Sequence, residues 1–287
     1  MNVSQWLSTW LTLRKAVLRP RTIEQYQDLI DRYIAPAIGD RDLDRIGSAE
    51  ICTLLASIIE AGHTRTAELV FVLLQAALKE ISPDLMRRVP RPAHRQKTPE
   101  AWTDAHMAAY LAAVASERQS LGLTLGIVLG LRRGEICGLR WQDIDFDRQI
   151  IRIVNQRQRM ADGRIVDCPP KSFASVRDIP IPDQLLPLLR SRRQLAGYLC
   201  PISPSGLDAA HRRLVRRLQL PYIPLHGLRH SMATACIRHG GAMKSLQLLL
   251  GHAKYATTAD RYTHPDCEML RSALACSSRA CYTVIQC

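Results

Sequence analysis

No CxxC pair occurs among the nine cysteines of this chain, so neither a zinc ribbon nor a thioredoxin-like redox site is supported. The cysteine count is odd and no signal peptide precedes it, which argues for reduced thiols in a cytosol rather than a disulfide framework. Long apolar runs are also missing. The longest, around Leu121 to Leu131, is too short and too broken by glycine to span a bilayer, so a soluble, cytoplasmic protein with no membrane partner is expected. There is no P-loop and no carboxylate cluster suited to two-metal chemistry, so neither ATP nor a metal is expected to take part. Lysine is scarce beside arginine: between Lys97 and Lys244 only Lys171 occurs.

What is present points to a polyanionic partner. The 287 residues suffice for about two ordinary domains, and 47% apolar against 23% charged residues excludes a disordered chain. A net charge of +13 is spread along the sequence rather than gathered on one amphipathic helix, which favours nucleic acid over a membrane surface. The arginine excess suits two-point contacts to phosphate.

Residues 1–86 carry helical periodicity. Trp6, Trp10 and Leu13 recur at helix spacing before a break at Arg19-Pro20. A second run places Ile23, Tyr26, Leu29, Ile30 and Tyr33 on one face and is expected to end at Pro36 and Gly39. Ser48 and Glu50 open a third, through Ile51, Leu54, Leu55 and Ile58 to Gly62. A fourth covers Thr64 to Ile81, with Leu69, Val72, Leu73, Ala76 and Leu78 expected inward. Four helices with short connections describe a small bundle, on which Arg19, Arg21, Arg65 and Lys79 are candidate phosphate contacts. Residues 87–99, basic and proline-rich, read as an extended linker that cannot join a compact core.

Patterning resumes at Trp102, with Thr103 or Asp104 capping a helix to Val114, and a second apolar helix follows from about Leu121 to Leu129. In Gly130-Leu131-Arg132-Arg133-Gly134-Glu135, Gly130 permits a tight turn and leaves Arg132 near a helix start, where backbone N–H groups also favour an anion. Glu135, one turn on, can hold the Arg132 guanidinium at a fixed angle. After a polar turn at 143–147, strands are expected at Gln149 to Val154, at Ile165-Val166 and from Ser175 to Pro182, with Lys171 on the hairpin between the last two. Helices return at Asp183 to Leu195 and Ser205 to Leu218. The latter carries His211, Arg212, Arg213, Arg216 and Arg217, read as a basic face for a phosphate track.

Leu225 to His264 concentrates the chemistry: His226-Gly227-Leu228-Arg229-His230, then Leu250-Gly251-His252, then Asp260-Arg261-Tyr262-Thr263-His264. His226 and His230 stand i, i+4 and suit zinc by spacing, but no glutamate lies between them and no third ligand suggests itself.

Taken in order, together with Thr22 to Tyr26 in the second helix and Arg177 to Pro182 at the end of the Lys171 hairpin, these boxes resemble the tyrosine recombinases, the phage-integrase family, over nearly the whole chain. The resemblance implies a mainly α fold with a small antiparallel β-sheet: an N-terminal helical core-binding bundle (1–86), the linker (87–99), and a mixed α+β catalytic domain (100–265). A tail (266–287), bearing Cys267, Cys276, Cys281 and Cys287, would dock on a neighbouring subunit. It further implies that Arg132 and Arg229 clamp the scissile phosphate while Tyr262 attacks phosphorus to form a 3′-phosphotyrosyl bond. Lys171 would protonate the leaving 5′ oxygen, His226 would act as proton acceptor or positioner, and His252 would hydrogen-bond the phosphate; Glu135 supports Arg132. Tyr255, close after His252, is assigned to packing. Implied partners are double-stranded DNA, a homo-tetramer on it, and accessory DNA-bending proteins, with no cofactor and no metal. The activity implied is site-specific recombination or integration; a cleavage-deficient DNA-binding relative and a type IB topoisomerase are the alternatives.

The chemistry coheres on physical grounds. A phosphodiester gains negative charge in its pentacovalent transition state, so paired guanidiniums stabilise it selectively. A phenol of pKa about 10 needs nearby positive charge and a base to attack as phenolate.

Overall fold

The computed structural model describes residues 1–93, 100–170, 175–251, 271 and 274–275. The chain divides into two compact units, residues 1–97 and 98–287, each with its own apolar core.

The first unit is a helical bundle. Helix α1 (Val3–Leu13) opens with Asn2 as cap, whose side chain accepts from the Gln5 amide at 2.8 Å while the Gln5 side chain accepts from the Asn2 amide at 3.0 Å. Its buried stripe is Val3, Leu7, Trp10 and Leu11; Leu13, in phase with the tryptophans, lies exposed at the last position of the helix. Helix α2 (Pro20–Leu29) starts on the proline itself, whose missing N–H costs nothing in the first turn. The run ends at Gly39, the C-cap of the last short helix, as expected, but Pro36 does not stop it. A π turn (Ile30–Ile34), in which the Ala35 amide donates to the Ile30 carbonyl, carries the backbone out of the regular ladder just before the proline, and α3 (Ala35–Ile38) continues through it.

Helix α4 (Ser48–Glu60) is capped from within, the Gly47 amide donating to Glu50 at 3.0 Å, and is stopped at Gly62, whose φ is +82°. Helix α5 (Thr64–Leu78) buries Ala67, Val70, Phe71, Leu73, Leu74, Ala77 and Leu78. Ala76 is exposed, against expectation, and Leu69 and Val72 are half-buried: Phe71 and Leu74 set the inward face and rotate the stripe by one position. The Trp6 indole donates to the Ala77 carbonyl at 3.0 Å and ties α1 to α5. The expected linker begins inside this unit. Val89 joins the core, Pro92 is buried, and Arg91 pairs with Glu68 at 2.9 Å, so apolar burial and an ion pair hold residues 86–92 to the bundle despite their prolines.

In the second unit α6 (Asp104–Val114), capped by Thr103, packs on α7 (Ser120–Val128), every residue of which is buried. Helix α8 (Arg133–Gly138) follows Gly130, which takes φ +62°. Strands β1 (Ile144–Asp145), β2 (Ile150–Ile153) and β5 (Arg177–Pro180) form an antiparallel sheet in the order β1-β2-β5, with Ile151 opposite Ile179. Strands β3 (Gln156–Arg159) and β4 (Ile165–Cys168) form a separate hairpin. Sequence reading misses β3 because Gln-Arg-Gln-Arg has no apolar alternation; neither of its faces is fully buried. Gly134 and Gly138, one turn apart, let α8 lie on β3: a Cβ on Gly138 would sit 2.7 Å from the Gln156 Cα.

The helix expected over Asp183 to Leu195 is shorter, a 3₁₀ turn and α9 (Leu186–Ser191): Arg192, Arg193, Gln194 and Leu195 are all exposed, and Arg193 lies over the Phe146 ring at 4.7 Å instead of extending the helix. Helix α10 (Pro204–Arg217) shows one correction: His211 is 1% exposed and does not belong to the basic face. Its Nδ1 pairs with the Tyr110 hydroxyl at 2.8 Å and its Nε2 with the Ile223 carbonyl at 2.9 Å, while the Trp102 indole donates to the Pro221 carbonyl at 2.8 Å. This network fixes the approach to α11 (Leu225–Arg238), which packs on α7. Helix α12 (Met243–Leu250) ends at Gly251 in the left-handed region, φ +61°. Of the tail, Leu274 is buried in this chain's own second core, and with Arg271 and Ala275 it lines a cavity beside Pro180–Gln184. Among the described residues no helix is long and apolar enough to cross a membrane.

Candidate active site

Three arginines meet at the carbonyl end of α12. A helix leaves its last carbonyls without intrahelical donors and carries partial negative charge there. Arg177 donates through Nε to the Leu249 carbonyl at 2.6 Å, Arg229 through a guanidinium nitrogen to the Leu250 carbonyl, and Arg132 to the Gly251 carbonyl at 2.9 Å. Each arginine comes from a different element: the start of β5, the middle of α11, and the cap position of α8.

Arg229 is 3% exposed. Besides Leu250 it donates to the Gly130 carbonyl at 2.8 Å, so the tight turn read from the sequence also supplies an acceptor. Burial first, and the charge of Arg132 next, bring its pKa down from the usual arginine range to about 9.

Arg132 is one-third exposed at its side chain, 31%, and donates to Glu135 at 2.7 Å, as expected; the Arg132 amide also donates to that carboxylate at 3.0 Å. Glu135 itself is 2% exposed. Burial pushes its carboxyl up, but the hydrogen bonds and charge of Arg177, together with those of Arg132, outweigh this and hold it below the ordinary carboxylate range.

His226 stands at the solvent-facing first turn of α11, and Arg229 lies within the same turn. Partial burial of the imidazole, then the charges of Arg229 and Arg132, lower its pKa, so it is neutral and able to accept a proton at pH 7. His230, one turn on, is half-buried, and among the described residues no three His, Cys, Asp or Glu side chains are arranged to hold a metal ion. Lys171, His252 and Tyr262 lie outside the described residues, as do Tyr255 and the cysteines Cys267, Cys276, Cys281 and Cys287.

Sequence reasoning assigned Arg177 no role. The available signal was its position: an arginine opening a strand whose later residues, Ile179 and Pro180, are buried. With Arg132, Arg229 and Glu135 it makes a constellation two charges more positive than negative, on the element that runs directly into His252 in sequence. Such a site attracts a tetrahedral anion and stabilises growth of its negative charge.

Known proteins share the fold and the family of this chain. A solved structure of the Tn1549 transposon integrase in complex with a circular intermediate DNA matches with a TM-score of 0.77 at 19% identity, covering 96% of this chain and 99% of that one, which establishes the fold. A XerC-like tyrosine recombinase of Caldanaerobacter subterraneus is 27% identical over 58% of this chain and 50% of its own length, so the match spans half of that relative. The tyrosine recombinase XerA of Thermococcus kodakarensis is 28% identical over 88% of both chains. The model of the phage integrase central domain matches residues 3–79, on the helical bundle. Residues 103–269, which carry the arginine cluster, match the model of the phage integrase family, and the chain belongs to that family.

Proposed function

We propose that this chain is a site-specific DNA recombinase or integrase that cuts and rejoins DNA through a covalent 3′-phosphotyrosine intermediate. The observation that carries this reading is the convergence of Arg132 and Arg229 at the end of α12, one residue before His252 and eleven before Tyr262 in sequence. Arg132 and Arg229 clamp the non-bridging phosphate oxygens. Tyr262 attacks phosphorus, Lys171 protonates the 5′ oxygen as the P–O bond breaks, and neutral His226 takes the phenolic proton or orients the tyrosine. His252 hydrogen-bonds the phosphate. Bond energy is stored in the phosphotyrosine and returned when the 5′-hydroxyl of a partner strand attacks it.

In this reading the N-terminal bundle grips the core site, residues 87–99 connect it to the catalytic unit, and four copies act on two duplexes, with accessory DNA-bending proteins where the site requires them. The similar integrase solved in complex with a circular intermediate DNA supports DNA as the substrate.

The test is a nicked suicide substrate built from the DNA flanking the encoding gene. A covalent protein–DNA adduct that disappears in Tyr262→Phe is expected. Binding without an adduct on any cognate site would identify a cleavage-deficient relative instead, and supercoil relaxation by a monomer without joining two sites would identify a type IB topoisomerase.

A further inference from the structure

We propose that Arg177 is a positioning residue for the Arg132 clamp: it shares the buried Glu135 carboxylate with Arg132 and locks the end of α12 to β5. The inference rests on the recombinase reading for its catalytic consequence, and on geometry alone for its structural one.

Arg177 is 7% exposed, and four of its five N–H donors are taken within the protein. Nε binds the Leu249 carbonyl at 2.6 Å; one terminal nitrogen binds Glu135 Oε1 at 3.1 Å and the Ser175 carbonyl at 3.0 Å; the other binds Glu135 Oε2 at 3.0 Å. A guanidinium so engaged has little left to offer a phosphate. Arg132, by contrast, spends its terminal nitrogens on one Glu135 oxygen and the Gly251 carbonyl and is 31% exposed. The two arginines therefore divide the work, Arg177 facing inward and Arg132 outward.

The carboxylate between them is the reason. Glu135 has four acceptor positions, filled by the Arg132 amide, the Arg132 guanidinium and two donors of Arg177. Without Arg177 the buried carboxylate keeps hydrogen bonds, among the described residues, from Arg132 alone, and it draws that guanidinium inward, off the line to a bound phosphate. At the same time the Leu249 carbonyl loses its donor, and β5, which follows the Lys171 segment in sequence, loses its tie to the helix that precedes His252. One side chain thus sets the placement of the Arg132 guanidinium, through Glu135, and of the end of α12, through the Leu249 carbonyl.

The test uses the full chain. Without DNA, the Arg132 Nε–H signal in an arginine-labelled NMR spectrum, assigned with Arg132→Lys, is expected to shift in Arg177→Met; an unchanged signal overturns the inference. With the suicide substrate, Arg177→Met is expected to slow adduct formation roughly 100-fold, the cost of about an ångström of misplacement. DNA affinity should change by less than about threefold. Adding Glu135→Gln to Arg177→Met removes the uncompensated charge and is expected to restore the rate about tenfold, a coupling that a double-mutant cycle isolates. A rate that simply follows melting temperature through this series would mean a structural role only, and would also overturn the inference. If the wild-type chain forms no adduct but the Arg132 signal shifts, the recombinase reading fails while the positioning relationship stands.

Discussion

Arg177 and Glu135 form a two-point ion pair, at 3.1 and 3.0 Å, in which the side chains are only 7% and 2% exposed. Desolvation of both charges makes such a pair costly to form, and its geometry matters more than its net contribution to stability. Breaking it from one side is another matter.

Glu135→Gln leaves Arg132 and Arg177 facing each other without a counter-charge. We expect a loss of about 3–5 kcal/mol in the catalytic unit, the usual penalty for orphaning one member of a buried pair. A fall in melting temperature of roughly 6–20 °C follows for a unit of this size. Calorimetry checks this, and a variant melting within a degree or two of wild type would refute it.

Gly138→Ala tests the close approach of α8 to β3. The new Cβ meets the Gln156 Cα at 2.7 Å and its carbonyl carbon at 2.9 Å, backbone atoms that cannot rotate away. Overpacking of this kind costs about 1–3 kcal/mol. It should also displace Arg132, which caps the same helix, so urea unfolding and adduct formation should both suffer; an adduct rate equal to wild type would exclude the link.

Stability should fall as pH drops from 7 to 5. His226 and His211 both have lowered pKa values, each chiefly from burial, the former also from Arg229. In this window the unfolded chain, with histidines near pKa ~6.5, binds protons that the native state refuses, so stability present above that pH is lost below it. Glu135 adds its own loss only at lower pH, once unfolded carboxylates near ~4.3 begin to protonate. His226→Gln should make the decline in melting temperature between pH 7 and 5 shallower; an identical slope would count against a depressed His226.

The basic face of α10 consists of Arg212, Arg213, Arg216 and Arg217, all exposed, with Arg217 paired to Glu117 at 2.8 Å. Replacing Arg213 and Arg216 with glutamine should weaken DNA binding across sequences and reduce the slope of log affinity against log salt by about 2. Fluorescence anisotropy over a salt series measures this, and an unaltered slope would remove the face from the interface.

Much of the fold was readable from local signals. Helices α4, α6 and α7 lie within a residue or two of their periodic runs because capping groups and apolar phase are encoded within a single turn. The misses share a cause. Proline at 36 reads as a stop because its tolerance depends on a π turn, and β3 is silent because a two-stranded ribbon without a buried face has no apolar alternation. His211 reads as surface charge because its partners Tyr110 and Ile223 are remote in sequence or outside its helix.

By itself the sequence determined the family through the order of its motifs, most of the helices through their apolar phase, and the pairing of Arg132 with Glu135, since those two residues are three positions apart on one helix turn. Only the tertiary structure decided that the carbonyls of Leu249, Leu250 and Gly251 each receive a different arginine, over sequence separations of 72, 21 and 119 residues. Periodicity reports which face of an element is apolar. It carries no information about which buried donor meets which orphan carbonyl, because that is settled when elements pack and every polar group enclosed must find a partner.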